Sequence, residues 1–160
     1  MGTKITYSTS NDVSWRAILA LFRRNEWREW YSPSDTRYLL SQALLVASAW
    51  HGKKSVGIAV LWGDGRFYAR LDTLLVDESY QRQGIGAGLV ELVIARVDDL
   101  CPHYFELDTH EEWMVRFYER FGFEKSDGLW LDHRPTSERL VKHVEKRRRK
   151  MTVKGTASGN

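Results

Sequence analysis

"LLVDESYQRQGIGAGLV", residues 74–90, decides how this chain is read. It opens on an apolar run that ends a strand. From Ile85 the spacing changes, and Leu89, Leu92, Val93 and Val97 fall on one face of a helix. Between the two lie Gly84, Gly86 and Gly88 at alternate positions. Glycine is costly at a helix start unless something needs close access to the backbone. Consecutive N–H groups there, with the positive end of the helix dipole, suit an anion such as phosphate. Two phosphate loops are excluded. The dinucleotide fingerprint needs a third glycine where Leu89 stands, and the Gly-Lys-Ser/Thr of the nucleotide P-loop is absent. What remains is Gln81-x-x-Gly84-x-Gly86. A glycine-softened corner that packs a helix tightly onto a sheet is the plainer alternative.

Working outward, "RFYARLDTLLV" before the turn is long enough for a central strand, set off by "GDG" at Gly63 to Gly65. Further upstream, "LLVASAW", "HGKK" and "SVGIAVLW" read as a hairpin. Ahead of it, "NDVSWRAILALFRRNEW" carries capping candidates Asn11 and Asp12 and places Trp15, Ile18, Leu19 and Phe22 on one helical face. "SPSDTRYLLSQ" predicts a second short helix. Downstream of "DDLCP", "HYFELDT" reads as a strand, "EEWMVRFYERFG" as a helix ending at Gly122, and "FEKSDGLWL" as a last strand region. The order predicts one mixed α/β domain over residues 1–137, followed by a basic C-terminal helix and disordered tail over 138–160.

Charge supports that division. Residues 138–154 hold eight lysines and arginines against Glu138 and Glu145, a surplus of six. With +3 overall, residues 1–137 sum to −3. A single cysteine, Cys101, excludes an intramolecular disulfide and a structural zinc site. The five histidines never fall at metal-ligand spacing, so no metal is expected. There is no Gly-x-Ser-x-Gly nucleophile turn. No apolar run reaches about 18 residues, and "MGTKITYSTS" carries no secretory signal, so a cytoplasmic protein is expected.

The glycine turn and its surroundings resemble the GNAT N-acetyltransferases, whose acetyl-CoA-binding motif is usually Arg/Gln-x-x-Gly-x-Gly/Ala. The resemblance runs in pattern from about Leu40 to Phe123. It includes "RFYERFGF", where Tyr118, Glu119, Gly122 and Phe123 match a Tyr-Glu-x-x-Gly-Phe segment. The resemblance implies the GNAT acyltransferase fold, with a mostly antiparallel central sheet flanked by helices. It implies acetyl-CoA as cosubstrate. The main chain of Leu74, Leu75 and Val76 would pair with the pantetheine arm as an added strand does. The turn Gln81, Arg82, Gln83, Gly84, Ile85, Gly86, Ala87 and Gly88 would cradle the pyrophosphate, with Arg82 adding a charge-assisted contact. Tyr118 would lie at the thioester and protonate the leaving thiolate. Where many members carry an asparagine about two turns before that tyrosine, this chain has His110 and Glu111.

An attacking amine must also lose a proton. Asp72 is the first candidate base, because aspartate is disfavoured inside a strand; a structural carboxylate is the alternative. Glu106 and His110 are weaker candidates. Trp15, Trp27, Trp30 and Trp50, with Glu26 and Glu29, suggest an acceptor site for an amine on an apolar or aromatic body, or else simply a core. The stretch from "LLSQALLVASAW" through "LDTLLVDESYQRQGIG" is also similar to small bacterial and plastid-type members grouped with arylalkylamine acetyltransferases, which implies a small primary amine. Two alternatives remain at this point. One acts on a protein amine or aminoacyl-tRNA, with residues 139–150 contacting nucleic acid. The other is a non-catalytic module that binds coenzyme A or nucleic acid. A homodimer is compatible with either.

Overall fold

The longest apolar strand in the chain has no polar side to show to solvent. Residues 55–61 are all buried, and such a strand needs a layer on each face. The computed structural model, which describes residues 4–125 and the backbone of 130–132, supplies those layers. Along the chain run β1 (Ile5–Ser8), α1 (Trp15–Arg24), α2 (Pro33–Gln42), β2 (Leu45–His51), β3 (Lys54–Gly63) and β4 (Tyr68–Val76). These are followed by α3 (Ile85–Leu100), β5 (Tyr104–Asp108), α4 (Glu112–Glu119), β6 (Glu124–Lys125) and β7 (Trp130–Asp132). The strands form one sheet in the order β1-β2-β3-β4-β5-β7-β6. Only β4 and β5 are parallel neighbours among the described residues. This is the mixed, mostly antiparallel α/β architecture expected from the sequence. The basic segment from residue 138 onward lies outside the described residues.

On one face, Ile18, Leu21 and Phe22 of α1 and Leu39 and Leu40 of α2 meet Val46, Ile58, Val60 and Leu75. On the other, Ile85, Leu89, Val90 and Val93 of α3 meet Ala47, Ala59, Leu61 and Leu71, joined by Tyr118 and Phe123. Burying each larger side chain stabilises by roughly 1.5–3 kcal/mol. The cap of α1 is Ser14, whose Oγ accepts from the Ala17 N–H, rather than Asn11 or Asp12. Asn11 instead donates to the Ala43 carbonyl and accepts from the Val46 N–H, tying the chain to β2. Strand β1 has only four residues, too few for alternation to announce it.

Two features of β4 position the site. Opposite β3, Leu71 pairs with Leu61 and Thr73 with Val60, so Asp72 is an extra residue: a β-bulge. Before the bulge Ala69 and Leu71 face α3; after it Leu75 faces α1, and Leu74 and Val76 turn to the α3 side. Secondly, β4 pairs with β5 at only three positions, Tyr68 to Arg70 against Tyr104 to Glu106. Beyond Arg70 the two strands part.

The chain leaving β4 is held by Asp77, a buried carboxylate. Asp77 accepts from Arg24 Nε of α1 at 2.9 Å and from the Ser79 N–H at 3.2 Å, and pairs with Lys54 Nζ at 3.3 Å. Burial alone would raise its pKa, but these donors outweigh burial and hold the carboxyl below its ordinary range. Its contribution to stability is therefore complete above the unfolded value of about 3.9. It is lost as pH falls through the folded pKa. Asp77→Asn is expected to lower the unfolding free energy at pH 7 by about 1–3 kcal/mol. The low end applies, because the Arg24 and Lys54 side chains stay 35% and 41% exposed and hydrate when freed. Denaturant titrations from pH 7 to 3 check this: the gap between variant and parent closes on the acid side, and a pH-independent gap contradicts it.

Candidate active site

Where β4 and β5 part, a cleft of about 460 Å³ opens. One wall is Leu74, Leu75 and Val76, which have β3 on one side and no partner from β5 on the other. The floor is the glycine turn, contributing Tyr80, Gln81, Arg82, Gly84, Gly86 and Ala87. The opposite wall comes from α4, with Trp113, Met114, Phe117 and Arg120.

The turn is locked in place by its neighbours. Gln81 Nε2 donates to the Val76 carbonyl at 3.0 Å, folding the turn back over the strand end. Tyr80 packs against His51, with Oη 2.8 Å from His51 Nδ1, and beneath Lys54 Nζ, which lies 4.8 Å from its ring. Gly84 begins α3 at φ +81°, and a Cβ there would meet nothing within 4 Å, so the backbone angle rather than space calls for glycine. Gly86 differs. A Cβ there would touch only Phe117 and Val76 at 3.7 Å, an ordinary contact, so the fold itself does not demand glycine. Its bareness leaves the floor of the cleft open. The amides of Ile85, Gly86 and Ala87 belong to the first helical turn and have no helical acceptor.

Several residues singled out in the sequence do not line the cleft. The Gly88 amide donates to the Gly84 carbonyl, and a Cβ on Gly88 would stand 2.8 Å from the Tyr7 hydroxyl. That glycine makes room for β1. Ile85 points into the core, and Gln83 is exposed outside the cleft walls. Tyr118 is only 4% exposed, with its ring 5.0 Å from that of Phe117 and 5.6 Å from that of Phe123. Its hydroxyl has no hydrogen-bond partner among the described residues. Burial raises the phenol pKa, keeping it a neutral donor.

Asp72, at the bulge, is exposed on β4 rather than in the cleft. It accepts from Thr73 Oγ1 at 3.2 Å and lies 3.8 Å from Arg70 Nε. Arg70 also bridges to Glu106 and Asp108 of β5, and Tyr68 donates to Glu106 at 2.7 Å. Glu106 is thereby occupied, while His110 is exposed in the loop before α4. Tyr31, which has Asp72 as a neighbouring carboxylate, stacks 4.3 Å from the buried Phe22 ring, with Trp27 at 5.9 Å from Phe22. Burial raises the Tyr31 phenol pKa, and the nearby carboxylates Asp72 and Asp35 push it the same way against the Thr73 hydroxyl. Of the other tryptophans, Trp15 lies between Arg16 and Arg37, Trp50 donates to Ser48, and Trp30 is 79% exposed.

The α4 wall escaped the sequence reading, though its signal was present. Trp113, Phe117 and Arg120 are spaced by four and three, one face of a helix, whereas Tyr118 points elsewhere.

The model of the acetyltransferase (GNAT) family matches residues 13–123. The chain belongs to this family. Among solved structures, it is similar to a GNAT-family acetyltransferase from Streptococcus pneumoniae TIGR4 at 30% identity and TM-score 0.66, covering 76% of this chain and 88% of that one. The PaiA N-acetyltransferase of Thermoplasma acidophilum, solved with coenzyme A, is 18% identical, with TM-score 0.64 and coverage of 81% and 96%. The ribosomal-protein-S18-alanine N-acetyltransferase of Escherichia coli is 19% identical, with TM-score 0.65 and coverage of 84% and 97%. These last two likenesses concern the fold alone. No curated protein sequence matches the chain. As a GNAT member the protein is an acetyltransferase, of a family that uses acetyl-CoA. No helix among the described residues is long and apolar enough to cross a membrane.

Proposed function

We propose that this GNAT protein transfers the acetyl group of acetyl-CoA to the primary amine of a small molecule, by direct attack within a ternary complex. The observation that carries this reading is the three-residue contact between β4 and β5. It leaves the main chain of Leu74 to Val76 facing a cleft whose floor is the free amides of α3. The pantetheine arm of coenzyme A has the amide groups to complete that strand edge, and the coenzyme's pyrophosphate matches the free amides of α3.

The amine nitrogen attacks the thioester carbonyl carbon, and the oxyanion accepts from a strand N–H near Leu75. The C–S bond then breaks. Tyr118, which borders the cleft across the Phe117 ring at 5.0 Å, gives its proton to the departing sulfur and regains one from solvent. The ammonium's proton leaves through water toward Asp72, which lies outside the cleft. The exposed bulge position suits a relay to solvent, and the partly exposed Trp27 and Tyr31 rings suit an apolar or aromatic amine body.

Free-thiol release over a panel of arylalkylamines, polyamines and peptides tests the substrate class. Small arylalkylamines are expected to turn over and peptides to fail, and the reverse order overturns the reading. Initial rates against both substrates should give intersecting reciprocal lines; parallel lines would indicate a covalent enzyme intermediate instead.

A further inference from the structure

The walls of the cleft carry two cations, Arg82 and Arg120, and no carboxylate. Arg24 and Arg70 are committed to ion pairs, but neither cleft arginine makes one among the described residues. Arg120 ends α4 and lies flat against its aromatic face, 5.0 Å from the Phe117 ring and 5.8 Å from that of Phe121. Its Nε donates to the Phe117 carbonyl at 3.4 Å, so the stem is fixed while both terminal nitrogens remain available. Arg82 comes from the floor, at φ +58°. A non-glycine residue in that left-handed region is strained. The chain carries this strain at a position whose side chain lines the cleft.

The amides of Ile85, Gly86 and Ala87 already suit a pyrophosphate. The two arginines therefore exceed what that group requires. Coenzyme A carries one more anion, the phosphate monoester on its ribose, with charge near −2 at neutral pH. A guanidinium clamped on aromatic rings suits such a dianion, because its donors are pre-oriented.

We infer that Arg120, assisted by Arg82, reads the ribose 3′-phosphate, so that the protein separates acetyl-CoA from 3′-dephospho-acetyl-CoA. This rests on the coenzyme A reading of the cleft. Calorimetric titration of the full chain with both compounds tests it, using parent, Arg120→Ala and Arg120→Gln, the last keeping part of the stem packing. The parent should prefer acetyl-CoA by about 10- to 100-fold, the range of one or two charge-assisted bonds. Both variants should lose most of that preference by weakening acetyl-CoA alone, with the dephospho compound bound as in the parent. Equal binding of the two compounds by the parent overturns the inference. So does a variant that weakens both equally, which would mean Arg120 serves the pyrophosphate or only the wall. If the parent binds neither compound, the coenzyme A reading itself fails, and the inference with it.

Discussion

Gly86→Glu should abolish acetyl-CoA binding while leaving the protein folded. The two effects separate because of what surrounds this glycine. A Cβ at Gly86 meets only Phe117 and Val76, both at 3.7 Å, and the residue lies in the first turn of α3. Glutamate is a better helix former than glycine, and its charge is favourable at a helix N-terminus. Thermal stability should therefore hold or rise slightly. Inside the cleft the same carboxylate sits among the amides proposed for the pyrophosphate. Like charges brought together there cost several kcal/mol, so affinity should fall by at least about 100-fold. Melting curves and titration of the same sample read both quantities. Retained affinity would remove the glycine turn from the phosphate site.

Tyr118→Phe should reduce kcat by roughly 10²–10⁴-fold, the range of a lost general acid, with acetyl-CoA affinity unchanged. Stability should hardly move. The hydroxyl has no partner to orphan among the described residues, and the ring contacts with Phe117 and Phe123 remain. Burial raises the phenol pKa, so the proton stays in place through the neutral and mildly alkaline range. The parent's rate should thus climb with pH as the amine deprotonates, without a fall below about pH 10, the ordinary tyrosine value. An unchanged kcat in the variant would take Tyr118 out of the mechanism, leaving it as a core residue.

The order of elements was legible because periods of two and 3.6 alternate cleanly from Trp15 onward. Glycines mark the junctions, Gly52 at φ +60° between β2 and β3 and Gly84 at φ +81° before α3. Strand β1 was not legible: Ile5–Ser8 is too short, and pairing with β2 rather than local pattern makes it a strand. Asp72 looked out of place, and the reason is now local. In "LDTLLV" the apolar residues fall at 71, 74, 75 and 76, which no strict alternation allows, and the bulge absorbs the mismatch. The bulge gives that aspartate a structural explanation independent of any role as a base. The glycine turn was read as one contiguous cradle. Folding divides it, with Gly86 and Ala87 lining the cleft, Gly88 making room for Tyr7, and Ile85 packing in the core. A motif gives the spacing of a loop but not the direction each residue faces. The α4 wall required a tertiary fact, that α4 crosses the mouth opened by β4 and β5.

Calorimetric titration of the full chain with acetyl-CoA, with NAD and ATP as controls, bears most directly on the coenzyme site. The account predicts saturable binding of acetyl-CoA at one site per chain and no comparable binding of either control. Failure to bind acetyl-CoA, or equal binding of all three nucleotides, would contradict it.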